Sequence, residues 1–188
     1  MKNKLFAAFL TFTAISCFAT SMQPCDTELL VYLKTAKAEI ELDLTGLSTT
    51  IQEMEKKHGQ DYKRLETAIT EFYNLLATDI CDMDRMFTMI CTQKKSIKTM
   101  TADGDFEPLF NTICIENHKQ EIEPILNKYS NSDPFLQHTN TLPLESRLNN
   151  YFFTGDALMI FTVVVSREIY ITLLQKINAK IAELEAQL

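Results

Sequence analysis

The sequence predicts an all-α protein, an elongated bundle of about four helices, and three observations carry that expectation. Apolar residues recur every three or four positions over long stretches, the spacing that lays one stripe along a helix. Only 4 glycines and 5 prolines punctuate 188 residues, too few turn formers for an all-β chain. The prolines also fall mostly between the periodic segments, where a helix tolerates them.

Residues 1–21 read as an export signal: Lys2 and Lys4 make a basic start, LFAAFLTFTAIS supplies the apolar stretch, and Ala19-Thr20-Ser21 offers small residues for cleavage. Residues 22–188 then form a single helical domain, secreted or periplasmic. Losing two lysines leaves 16 basic against 25 acidic residues, so the formal charge moves from −7 to −9. Such an acidic chain is unsuited to neutralising phosphates, which excludes nucleic acid as a partner. Thr13-Ala14-Ile15-Ser16-Cys17 resembles the lipobox of bacterial lipoproteins, with Ala14 where leucine is usual. That resemblance implies a lipid on Cys17 and anchorage on the outer side of a membrane, the one circumstance in which membrane contact is expected. The most apolar run, ALMIFTVVV at 157–165, is nine residues long and too short to cross a bilayer.

The first helix is predicted from Thr27 to His58, with the stripe Leu29, Leu33, Ala36, Ile40, Leu44, Leu47, Ile51 and Met54. Gly46 is a candidate bend and Gly59 the stop. The second runs from Asp61 to Lys98 as one rod with the stripe Leu65, Ile69, Phe72, Leu76, Ile80, Met83, Phe87 and Ile90, forming a helical hairpin with the first. Asp105 is the expected cap of a third helix striped by Phe106, Leu109 or Phe110, Ile113 and Asn117, with a kink near Pro124. SNSDPFLQHTNTLP at 130–143 is a polar connection, and helix resumes after Pro143 with an interruption at Thr154-Gly155-Asp156. The last stripe is Phe161, Val165, Ile169, Leu173, Ile177, Ile181 and Leu184. The run at 157–165 is apolar on every side, so it is either central to the bundle or an interface with another chain or a hydrophobic ligand. The tail residues Ile177, Ile181, Leu184 and Leu188 have coiled-coil spacing, a second route to self-association.

Cleavage after Ser21 leaves Cys25, Cys81, Cys91 and Cys114, an even number in an exported chain and hence two expected disulfides. On one continuous rod, Cys81 and Cys91 stand about 15 Å apart, whereas disulfide Cα atoms lie within roughly 7 Å. The same separation forbids a shared metal ion. Both thiols are therefore expected to staple the rod to other segments. With the hairpin turn near residue 60, Cys25 is level with about residue 95, which favours Cys25–Cys91 with Cys81–Cys114 over Cys25–Cys81 with Cys91–Cys114. Each bond closes a loop of tens of residues, a stabilisation of about 3–4 kcal/mol.

Met83, Met86 and Met89 repeat every third position, and thioethers are soft ligands suited to Cu(I). Steps of three turn about 60° around a helix, so the outer two converge poorly on one ion, and methionine is an ordinary gap filler in cores. Glu55 and His58 have the Glu-x-x-His spacing of di-iron bundles, but the second such motif is missing. The acidic groups around Glu121 and Asp84 read as solvated helix faces. No nucleophile motif or phosphate loop occurs. The expectation is an exported, non-catalytic helical protein without a cofactor, acting through an unknown protein partner or as a homo-oligomer. The alternative is a carrier of a lipid or other apolar small molecule in the bundle core.

Overall fold

A computed structural model describes residues 24–80, 83–102, 117–133 and 136–187. Among the described residues the chain is about 90% helical, with no strand and seven α-helices, which establishes the all-α class. In order they are α1 Pro24–His58, α2 Gln60–Ile80, α3 Met83–Gln93, α4 Ile97–Ala102, α5 Lys119–Asn131, α6 Leu144–Phe152 and α7 Gly155–Glu185, with a 3-10 turn Gln137–Thr141 before α6.

The first hairpin turns on a single residue. Gly59 adopts φ 57°, a left-handed conformation that costs a side-chain-bearing residue energy, and its N–H closes the last turn on Glu55 O at 2.8 Å. Gly46 lies within the continuous α1 and does not end it. Two ion pairs then set the register of α1 against the returning chain: Lys63 meets Glu55 at 2.9 Å, and Lys94 meets Glu28 at 3.2 Å. From Glu28 to Glu55 α1 rises about 40 Å, so α2 and α3 together follow α1 for most of its length.

The expected rod from Asp61 to Lys98 needs correction. Helix ends at Gln93, because Lys94 takes a left-handed φ of 52° and Ser96 caps a new short helix, its Oγ accepting from Thr99 N–H at 3.2 Å. Residues 81 and 82, between α2 and α3, lie outside the described residues. So do Phe106, Leu109 and Ile113 of the expected third helix; α5 begins only at Lys119 and runs through Pro124. The polar connection ends α5 and contains the 3-10 turn, and Gly155 at φ 53° divides α6 from α7 as anticipated.

The long helices form an antiparallel three-rod frame. Lys34–Glu185 at 2.7 Å and Lys57–Asp156 at 2.8 Å run α7 antiparallel to α1 along nearly all of it. Glu66–Arg167 at 2.6 Å and Asp84–Lys176 at 2.8 Å run α7 parallel to α2 and α3. The shorter α5 lies antiparallel on α2, with Lys128 on Glu71 and Arg64 3.8 Å from Asp133. The stripes meet inside: Leu33, Ile40, Ile69, Phe72, Leu76, Leu173 and Ile177 are buried in one core. Where α6 closes it, aromatic rings pack at steep angles, with Phe72 to Phe152 at 5.4 Å and Tyr129 to Tyr151 at 5.6 Å between centroids.

Arg147 of α6 is also buried, at 4% exposure. It donates to Asn127 Oδ1 at 2.8 Å and Asn140 Oδ1 at 3.4 Å, and its guanidinium lies 5.8 Å from the centre of the Tyr151 ring. A guanidinium withdrawn from water needs such acceptors, and here they tie α5, the 3-10 turn and α6 into one unit.

Candidate functional site

The inner stripe of α1 is buried, but the helix carries a second stripe on its solvent face. Val31, Thr35, Ala38, Leu42, Thr45 and Thr49 are all exposed, and they alternate steps of four and three, the spacing of a coiled-coil seam. Val31 at 63% and Leu42 at 71% are the most exposed large hydrophobic residues among those described. The three threonines do not make this stripe polar. Each hydroxyl turns back onto its own helix: Thr35 donates to Val31 O at 3.2 Å, Thr45 to Glu41 O at 2.9 Å and Thr49 to Thr45 O at 3.2 Å. Hydroxyls bonded to the carbonyl four residues back are satisfied within the helix, so the surface gains methyl groups. The result is an uncharged strip about 27 Å long on a protein of formal charge −7. Lys34 and Glu41 flank it on one edge and Glu39 on the other.

This seam was readable as a spacing, yet the charged residues interleaved with it, Lys34, Lys37 and Glu41, made the outer face of α1 look simply solvated. The inner stripe accounted for the helix without it.

A second feature is a groove of about 280 Å³ between α2 and α5, floored by Ala68, Ile125 and Tyr129 and edged by Lys63, Arg64 and Lys128. Its cations already hold acids: Lys63 has Glu55, Lys128 has Glu71, and Arg64 has Asp61. Arg64 Nε is buried without a hydrogen-bond partner. Burial, then the Asp133 carboxylate, push the Tyr129 hydroxyl up to about 12, so it stays protonated as the groove wall. A third feature, where α1 ends and α7 begins, joins Met54, Met159 and Ile160 with Lys57, His58 and Asp156. There the Lys57 ammonium, bonded to Asp156 Oδ2, holds that carboxyl below its ordinary range, and His58 Nε2 lies 3.4 Å from the same oxygen.

Met86 and Met89 are buried in the core, at 3% and 7% exposure, and Met83 is half-buried against it. Among the described residues no group of three His, Cys, Asp or Glu gathers as metal ligands would.

Among the described residues Cys91 bonds to no other cysteine, and its thiol is half-buried. Burial raises its pKa, opposed by the Lys180 charge. The two expected disulfides are not present among the described residues. Cys25 lies in the first turn of α1 with its side chain outside the described residues, as are Cys17, Cys81 and Cys114 altogether. Lys94 pairs with Glu28 at 3.2 Å, which sets Cys91 level with about residue 31 of the antiparallel α1, roughly 9 Å beyond Cys25, so Cys91 is not level with Cys25 in this register.

The apolar run of α7 proves mostly internal: Ile160, Phe161, Val163, Val164 and Val165 are buried, while Leu158 and Met159 remain exposed. The tail residues Ile177, Ile181 and Leu184 are also buried in the core, and Leu188 lies outside the described residues. The supposed C-terminal seam is therefore spent within the chain. Counting only the nine-residue run understated α7, which among the described residues is one helix long and apolar enough to cross a membrane, with a mean hydropathy of 1.8 over its most apolar stretch. Ten of its side chains are buried in the bundle.

The chain matches no family model, no curated protein and no solved structure.

Proposed function

We propose that this is an exported, non-catalytic helical protein that works by contact, docking a helix of a protein partner or of another copy on the outer seam of α1. The observation that carries this reading is the seam's composition: two large aliphatic side chains and four small apolar contributions, in coiled-coil spacing, on a face exposed among the described residues. Export places the protein outside the cytoplasm, secreted or periplasmic, or held to a membrane through Cys17 if that cysteine receives a lipid. In that compartment Cys25, Cys81, Cys91 and Cys114 are expected to be oxidised in two pairs. A Cys25–Cys91 bond additionally requires the first turns of α1 to slide or unwind, since the Lys94–Glu28 pair sets Cys91 level with about residue 31.

Hydroxyl-radical footprinting tests the contact. In the purified, dilute protein Val31 and Leu42 oxidise readily; in the native exported fraction they are protected, while Leu142, exposed elsewhere, is not. Equal oxidation of all three in both samples defeats the reading.

A second reading has its own support. The α2–α5 groove has an apolar floor and a cationic edge whose ion pairs are exposed and easily exchanged, the make-up of a site for a single-chain amphiphile. It differs from the expected carrier in placing the ligand at the bundle surface. Native mass spectrometry of protein isolated without detergent shows added mass beyond the bare chain under this reading, and the bare chain mass otherwise. Copper bound by the three methionines requires Met86 and Met89 to leave the core, and elemental analysis for stoichiometric copper tests it.

A further inference from the structure

The outer seam of α1 is flanked asymmetrically, and its charges choose between occupants. Written as a heptad, Val31 and Ala38 fall at d, Thr35 and Leu42 at a, and Leu33 and Ile40, which face the bundle core, at f. Lys34 and Glu41 both fall at g, one heptad apart and opposite in sign. In an antiparallel pair of helices g residues face g residues. An antiparallel copy of the same helix, centred between Ala36 and Lys37, brings Lys34 of each chain to Glu41 of the other. The same register sets Val31 against Leu42, and Thr35 against Ala38 at the centre, where small side chains let the backbones approach. Every contact occurs twice, as a two-fold axis requires. On the other edge the facing residues are Tyr32 and Glu39, so no like charges meet.

We infer that the occupant of this seam is a second copy of the chain, docked antiparallel through α1 with reciprocal Lys34–Glu41 pairs. The inference rests on the proposed function and names the partner within it. Lys34 and Glu41 are available for the exchange: their present partners, Glu185 at 2.7 Å and Lys37 at 3.8 Å, form exposed pairs of small worth. Glu28 lies one position beyond the apolar layers at one end and limits the contact to four layers, about 16 Å of helix. Such a contact is small, and the dimer is accordingly weak and concentration-dependent.

Sedimentation velocity over a concentration series, from micromolar to about a millimolar, reads it out. The parent chain moves from monomer toward dimer. Lys34→Glu alone sets two carboxylates against each other in both reciprocal pairs, and Glu41→Lys alone sets two ammonium groups against each other, so each variant stays monomeric. An equimolar mixture of the two regains association, because in the mixed dimer one chain carries a carboxylate at both positions and the other an ammonium at both, so each of the two pairs joins a carboxylate to an ammonium. Thermal melting of every variant verifies that the fold is kept, as expected for exposed positions. Association of either single variant as strong as the parent's, or a mixture that stays monomeric, overturns the antiparallel register. A parent chain that is monomeric throughout overturns the second copy as occupant. The broader reading falls separately, by the unprotected Val31 and Leu42 described above.

Discussion

Arg167 of α7 donates from Nη1 to Glu66 Oε1 of α2 at 2.6 Å, and its Nη2 lies 2.8 Å from Glu168 Oε1. Both carboxylates are largely shielded from solvent, and Tyr62 is packed in the same corner. This pair between two of the three long rods is more shielded than Lys34–Glu185, Lys57–Asp156 or Asp84–Lys176. Glu66→Ala removes it and leaves Arg167 half-satisfied by Glu168, so the protein loses about 1–2 kcal/mol. Chemical denaturation monitored by circular dichroism measures that loss, and an unchanged midpoint with unchanged slope refutes the assignment.

The same corner supplies a substitution that removes a polar atom at little cost. Tyr62 is 1% exposed, and its hydroxyl makes no hydrogen bond of ordinary geometry among the described residues, although the Glu66 carboxylate is near enough to act on it. Burial, and then that carboxylate, push its pKa up to about 12. Tyr62→Phe is therefore neutral or stabilising by up to about 1 kcal/mol. A drop in denaturation midpoint on this change shows instead that the hydroxyl is well bonded.

Alkali acts on the parent chain through the same group. The folded state holds the proton more tightly than the unfolded chain, so stability is intact below about pH 10 and falls as pH rises from there toward 12. The loss is smaller in Tyr62→Phe, with Tyr129 supplying the remainder. Melting temperature against pH for the two proteins shows whether the curves separate above pH 10.

Asp156 gives the opposite sign at the other end of the scale. Lys57 lowers its folded pKa below the ordinary 3.8, and the carboxylate also sits at the start of α7, where a helix favours negative charge. The stabilisation is present above the unfolded pKa and disappears as pH falls through the folded one. Asp156→Asn accordingly melts below the parent at pH 7, and the gap closes as pH falls below the ordinary carboxyl range. A gap that persists in acid assigns the effect to packing instead.

Two glycines on or beside α1 respond in opposite directions to the same change. At Gly46 an added Cβ meets nothing within 4 Å and φ is not positive, so Gly46→Ala stabilises by about 0.5–1 kcal/mol through helix propensity. At Gly59 the space is equally open but φ is 57°, and Gly59→Ala destabilises by roughly 1–2 kcal/mol. Parallel melts of the two variants separate conformation from crowding, since neither site is crowded.

The periodic segments were legible because burial was the only demand on them. Leu33, Ile69, Leu173 and Ile177 were assigned to the core from spacing alone and are fully buried. The break after Gln93 was not legible, because Lys94 adopts a conformation usually reserved for glycine and Ser96 caps a helix of only six residues. Arg147 gave no signal either: a lone arginine in a polar, amphipathic stretch reads as surface, and its burial depends on Asn127 and Asn140 arriving from elsewhere in the chain. The outer seam of α1 was present as a pattern, but its threonines read as polar until their hydroxyls are seen to bond backward along the helix.

What touches Leu42 decides whether the solvent face of α1 is a contact surface. A photo-crosslinking amino acid placed at position 42 and activated in the native exported fraction is expected to yield a discrete adduct. The same probe at Leu142, exposed outside the long helices, is expected to yield none. Adducts from both positions alike, or from neither, contradict the claim that the solvent face of α1 is the working surface of this protein.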